Sequence, residues 1–178
     1  MSWPDRMDQG RRKVLFGLSV GLAGLLSACG FQPLYGEGPS GELVLSDLAQ
    51  VKVASIPDRP GQILHNGLVT ALDPENLGLP KAYRLETSLT EIRSEAGVRE
   101  DETATRSTLN LTANFTLYRI SDGKSLYGAS AIAIASYDIL DSGFATDVAL
   151  SDVRLRSLQK LVQDIRRRLA GYFQTHEA

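Results

Sequence analysis

The chain has 178 residues, of which 43% are hydrophobic, 22% charged and 7% aromatic, proportions that fit one ordinary domain with or without extensions. Unexceptional glycine and proline exclude a collagen-like or wholly disordered chain, and a formal net charge of −2 gives no global reason to expect nucleic acid as a partner. A single cysteine excludes an intrachain disulfide and any metal site built on two or four cysteines.

The N-terminus reads as an address. Arg6, Arg11, Arg12 and Lys13 make a basic start, followed by an uncharged run from Val14 to Ala28. As a helix that run would rise about 22 Å, short of the roughly 30 Å of a bilayer's hydrocarbon core, so it fits a secretory signal better than a spanning segment. Leu26-Ser27-Ala28-Cys29 resembles the lipobox of bacterial lipoproteins. That resemblance implies cleavage before Cys29, attachment of diacylglycerol to its thiol and acylation of the new amino group, palmitate being the expected kind of chain. A core helix with a small apolar cysteine is the competing reading, and it requires charge order, position and spacing to coincide by accident. Two or more acyl chains hold a protein to a membrane, since each buried methylene contributes about 0.8 kcal/mol. Arg11-Arg12 leaves export open between the general and the twin-arginine routes. Gly30, not Asp, follows the cysteine; by similarity to the sorting rule of Gram-negative lipoproteins this permits release to the outer membrane, where the protein is expected on the periplasmic side.

Residues 1–28 are thus expected to be a signal peptide, and residues 29–46, with Gly30, Gly36, Gly38, Pro39 and Gly41, a lipidated cysteine and flexible tether. The remaining domain spans 47–175. Cleavage leaves about 150 residues, a length that buries roughly 70% of its unfolded surface and needs no metal or disulfide to fold.

Within the domain, Val51 to Ile56 alternates and stops at Pro57, as a first strand would. Pro60-Gly61 opens a helix with Ile63, Leu64, Gly67, Leu68, Ala71 and Leu72 at helical spacing, ended by Asp73-Pro74. Tyr83, Leu85, Thr87 and Leu89 alternate with polar neighbours in a second strand, and Ser94 to Thr105 reads as a polar hairpin tip. The clearest strand follows: Leu109, Leu111, Ala113, Phe115 and Leu117 alternate with Thr108, Asn110, Thr112, Asn114 and Thr116, giving one apolar and one hydroxyl/amide face. The turn Ser121-Asp122-Gly123-Lys124 leads to a strand from about Leu126 to Ile139, in which Ile132 and Ile134 oppose Ala131, Ala133 and Ala135. From about Asp147 to Phe173 the period becomes helical, with Val148, Leu155, Leu158, Val162, Ile165, Leu169 and Tyr172 on one stripe. The expected fold is α+β: a two-layer sandwich of order β-α-β-β-β-α, with a mostly antiparallel sheet and two helices on its apolar face. The other sheet face stays polar or meets a partner.

Catalytic constellations are scarce. His65 falls in the first helix and His176 in the C-terminal tail, and there is no GxSxG, HExxH, Walker or dinucleotide-binding glycine pattern. Asp138 and Asp141 read as turn or cap residues at a strand end. Arg99 and Arg106 flank Glu100-Asp101-Glu102 at the hairpin tip. They have the geometry to meet a phosphorylated lipid, although a solvated tip is the plainer reading. Arg166 to Arg168 are expected to solvate the last helix and complement its C-terminal dipole. No cofactor, metal or enzymatic activity is expected.

Cys29-Gly30-Phe31-Gln32-Pro33-Leu34-Tyr35-Gly36 resembles the mature start of alphaproteobacterial lipopolysaccharide-assembly lipoproteins, the LptE family. Ala135 to Leu140, Phe144-Ala145 and the long last helix are similar to that family's C-terminal half. The resemblance implies a two-layer α/β fold and a non-enzymatic role: plugging the LptD β-barrel of the outer membrane, assisting its assembly and helping lipopolysaccharide reach the outer leaflet. The hydroxyl/amide face suits the polar lumen of a wide barrel, with Asn110, Thr112 and Asn114 as candidate contacts and Arg99 and Arg106 as candidate lipopolysaccharide ligands. An auxiliary lipoprotein of an ABC-type lipid transport system is the alternative, and a lipoprotein enzyme a third reading, disfavoured by the lack of a nucleophile-base pair.

Overall fold

The computed structural model describes residues 39–98 and 104–176. Cys29, the signal segment and Arg99, with the acidic run beside it, lie outside the described residues.

Helix α1 (Pro39–Ala49) is the first element of the described residues, where the sequence pointed to a tether. Proline is tolerated at a helix's first position, and the cost of an interior glycine, about 1 kcal/mol, is offset by apolar burial. Val44 and Leu48, one turn apart, are fully buried, whereas Leu43, next to Val44 in the chain, is exposed. The second half of the expected tether is therefore part of the folded body.

Strand β1 (Val51–Val53) is shorter than its alternation promised, and helix α2 (Asp58–Leu72) follows with Leu64, Leu68 and Leu72 buried at i, i+4 spacing. The long strands β2 (Tyr83–Val98) and β3 (Ala104–Arg119) form a hairpin, β4 (Ser125–Asp138) adds to β3, and helix α3 (Gly143–His176) closes the chain. The sheet order is β1-β2-β3-β4, with β1 parallel to β2 and the other pairs antiparallel. Among the described residues the α+β two-layer sandwich is thus observed, with three helices instead of two and the order α-β-α-β-β-β-α.

The hairpin runs further than a polar tip would. Ser94 pairs with Thr108 and Glu95 with Ser107, and pairing resumes beyond Ala96–Arg106 at Val98–Ala104. Backbone bonds carry a ladder whatever the side chains are, and here a hydroxyl helps: buried Ser107 donates to the Ser94 carbonyl at 3.3 Å. Between β3 and β4, Gly123 adopts φ +68°, which glycine tolerates without a Cβ clash, while Asp122 accepts from the Lys124 N–H and from Arg119, both at 3.1 Å. The register shifts between Leu117 and Tyr118, beside the turn.

One face of the sheet forms the core. Leu85, Leu109, Leu111, Ala113, Phe115, Leu117, Ala131 and Ala133 lie buried beneath the helices. Helix α3, about 50 Å long at 1.5 Å per residue, lies along β3 and β4. Leu158, Val162, Ile165 and Leu169 of the expected stripe are buried on it, joined by Leu150, Val153, Leu161 and Phe173. Val148 and Leu155, placed on that stripe by periodicity, are exposed. Leu155 lies two turns before Val162 on the same flank; α2 covers Val162 there, and no described element covers the flank earlier. That coverage is close: a Cβ on Gly67 of α2 would stand 2.8 Å from Val162 Cγ2, so the glycine sets how near the two helices approach.

Candidate partner-binding face

On the sheet's outer face the three long strands align into rows. From one end these are Arg84–Tyr118, Glu86–Thr116–Gly128, Ser88–Asn114–Ser130, Thr90–Thr112–Ile132, Ile92–Asn110–Ile134, Ser94–Thr108–Ser136 and Ala96–Arg106–Asp138. Asn110, Thr112 and Asn114 therefore occupy the middle column, on the strand with neighbours on both sides. The alternation that buries the β3 leucines turns these three the other way.

The middle rows carry no charge and little internal bonding. The Ser130 hydroxyl donates to Asn114 Oδ1 at 2.5 Å, and Thr108 and Ser136 share a hydrogen bond at 3.2 Å. Asn114 makes no further side-chain hydrogen bond among the described residues, which leaves its amide donors available. Gly128 has no side chain to fill its place beside Thr116, and a shallow depression of about 630 Å³ lies there, lined by Glu86, Ser88, Asn114, Thr116 and Ser130 among others.

Three isoleucines interrupt the polar surface. Ile92, Ile132 and Ile134 are 55%, 52% and 60% exposed and flank Asn110 and Thr112. It is the alanines alternating with them on β4 that face the core, Ala131 and Ala133 being fully buried. The small residues let α3 lie close to the sheet; isoleucines there would hold the helix off it. Hydrophobicity taken residue by residue misses this surface cluster, and the signal that finds it is the long helix's need for a small-residue floor.

Charge sits at the two ends. At one, Arg84 stacks over Tyr118 with its guanidinium carbon 5.4 Å from the ring centre, and it pairs with Glu86 at 3.1 Å. At the other, Arg106 pairs across the strands with Asp138 at 3.3 Å, both well exposed. Asp138 is thus a cross-strand ion partner, not a cap. The first turn of α3 is held instead by Ser142, whose hydroxyl accepts the Ala145 N–H at 3.4 Å, and by Thr146, whose hydroxyl accepts the Leu140 N–H at 3.0 Å. An exposed pair of this kind contributes little, about 0–1 kcal/mol, so Arg106 can exchange its partner for another anion.

The strongest polar contact lies on the opposite, helix-covered side and had no sequence signal. Arg154 of α3 clasps Glu91 of β2 through two hydrogen bonds of 2.8 Å, both side chains being mostly buried. The Arg154 hydrogen bonds, aided by its charge and that of Arg93, outweigh burial and hold the Glu91 carboxyl below the usual glutamate range. Nearby in the same strand, Thr87 has its hydroxyl buried with no hydrogen-bond partner among the described residues.

The histidines lie on different helices, His65 on α2 and His176 at the end of α3, where it lines a small cleft with Asp47 and Arg119. His65 contacts Asn66 at 3.3 Å, and His176, the last residue of α3, stacks on Tyr172 with ring centres 4.2 Å apart. Among the described residues there is no group of three or more His, Cys, Asp or Glu able to hold a metal ion, and no helix long and apolar enough to cross a membrane. Arg167 and Arg168 share Asp164, at 2.9 and 3.1 Å.

No protein-family model and no curated protein sequence matches the chain. Solved structures do. A protein of Caulobacter crescentus CB15 described as a lipoprotein superposes with a TM-score of 0.60 at 23% identity, over 73% of this chain and 95% of that one. A minor lipoprotein of Acinetobacter baumannii gives 0.57 at 19% identity, over 69% and 92%. A lipoprotein B of Nitrosomonas europaea gives 0.52 at 11% identity, over 70% and 87%. The fold of this chain is the one these three bacterial proteins share.

Proposed function

We propose that the protein is an outer-membrane lipoprotein, acylated at Cys29, that seats its sheet in the lumen of the LptD β-barrel. It would act there without catalysis, as a plug that assists barrel assembly and the delivery of lipopolysaccharide to the outer leaflet. The observation that carries this reading is the outer sheet face: uncharged rows of Ser, Thr and Asn side chains between charged ends, centred on Asn110, Thr112 and Asn114. Such a surface exchanges water for hydrogen bonds, direct or water-bridged, with the polar wall of a barrel, and needs no broad apolar patch. The three isoleucines add an apolar centre of the kind that anchors protein interfaces. The likeness of fold to bacterial lipoproteins and the lipobox-like Leu26-Ser27-Ala28-Cys29 support the anchor. Arg106, exposed at the rim of the face, is the described candidate for contact with lipid phosphate.

The test is co-purification of the barrel with the full-length protein carrying Asn110→Lys and Asn114→Lys together. Buried lysines facing a barrel wall would be desolvated without a partner, so recovery of the barrel should fall sharply while the protein stays folded. Unchanged recovery, or normal lipopolysaccharide at the cell surface after depletion of the protein, would refute the reading.

A further inference from the structure

The sheet has two open sides, and they are built differently. On one, β1 covers β2 only at Tyr83–Leu85. The uncovered stretch of β2 carries Glu86, Glu91, Arg93 and Glu95, the kind of charges that keep an edge strand from pairing with another chain. On the other side β4 is the last strand, and among the described residues no element pairs with its outer edge. From Ser125 to Tyr137 it holds no charged residue and no proline. It is long, two of its exposed side chains are Ile132 and Ile134, and the register shift lies at its start, leaving the pairing with β3 regular from there on. Alternate residues of such a strand direct N–H and C=O outward, and another extended backbone can pair with both in place of water.

Helix α3 gives that edge a second wall. Ile134, Ala135 and Ser136 of β4 and Arg156, Ser157 and Lys160 of α3 line a groove of about 160 Å³. Arg156 is paired with Asp152 at 2.6 Å. Lys160 is exposed and has no ion-pair or hydrogen-bond partner among the described residues. A backbone template beside an uncompensated cation fits one kind of occupant. We infer that the groove between β4 and α3 is a strand-addition site for an extended, acidic polypeptide segment of a partner chain, which pairs with β4 and sets a carboxylate against Lys160. A second copy pairing through its own β4 is a poorer fit, because the one acidic residue of that strand, Asp138 at its end, is already paired with Arg106. The inference does not rest on the barrel reading, since it concerns the edge of the sheet and not its outer face.

The experiment uses the full-length chain in detergent and fluorescein-labelled peptides of about ten residues, the length of a typical added strand, built of alternating Val and Thr with two Asp. Three versions are compared: the acidic peptide, one with Lys in place of Asp, and the acidic peptide N-methylated at alternate positions. The acidic peptide should bind by fluorescence anisotropy and slow backbone hydrogen exchange over residues 130–136. N-methylation should abolish binding. Lys160→Glu should weaken the acidic peptide about tenfold at low salt and favour the Lys version, with Lys160→Gln intermediate as a milder check on folding. Absence of binding, equal binding of acidic and basic peptides, or indifference to both Lys160 variants would overturn the inference. So would concentration-dependent protection of β4 without peptide, which would assign the edge to a second copy.

Discussion

The Glu91–Arg154 clasp makes a quantitative test of how α3 is fixed to the sheet. Arg154→Met keeps most of the side chain's length and packing and removes two charge-assisted hydrogen bonds of 2.8 Å. With the two side chains 20% and 23% exposed, the pair lies between a surface ion pair, about 0–1 kcal/mol, and a fully buried one, about 3–5 kcal/mol when broken. Arg93, 3.5 Å from Glu91, compensates part of the orphaned charge. A loss of about 1–2 kcal/mol follows, which for a chain of this size lowers Tm by about 2–8 °C. The loss depends on pH in a definite direction. Because Arg154 holds the folded-state pKa of Glu91 below its unfolded value, the contribution is full above the ordinary glutamate range and is lost as pH falls through the lowered folded value. Urea melts of wild type, Arg154→Met, Glu91→Gln and the double variant should therefore show a coupling at neutral pH that shrinks in acid. A coupling under about 0.3 kcal/mol, or one unchanged from neutral pH to well below the glutamate range, would refute this account.

Thr87→Val replaces a buried hydroxyl that lacks a partner with a methyl of similar volume, and calorimetry should show stabilisation of about 1 kcal/mol. Ala133→Leu puts bulk between β4 and α3 and should cost about 1–3 kcal/mol in a denaturant melt. Ile132→Ser together with Ile134→Ser changes exposed side chains, so each should move stability by no more than about 0.5 kcal/mol, while recovery of the barrel in the co-purification assay should fall.

Periodicity made much of this architecture readable. The alternation of Leu109 to Leu117 with Thr108 to Thr116 announces a half-buried strand because side-chain direction there depends on backbone geometry alone, and Leu64, Leu68 and Leu72 announce α2 for the same reason. What failed was local composition standing in for tertiary context. Pro39 and Gly41 read as linker, yet Val44 and Leu48 find a core that lies far along the chain. Val148 and Leu155 keep the helical period on a flank that no described element covers. On the proposed face, Asn110, Thr112 and Asn114 were visible because they alternate with core residues, whereas Ile92, Ile132 and Ile134 were not, since their exposure follows from how closely α3 must approach β4. The Glu91–Arg154 clasp joins residues in different elements, and no pattern within either strand or helix encodes it.

The two-sidedness of β3 has a consequence for how such a molecule can change over time. Its odd-numbered residues from Leu109 to Leu117 answer to the helices, and its even-numbered ones answer to nothing that covers them within the described chain. A mutation at an even position alters what the sheet touches and leaves folding almost unaffected, so the outward lettering can be rewritten generation by generation beneath an unaltered scaffold. Three bacterial proteins have this fold at 23%, 19% and 11% identity.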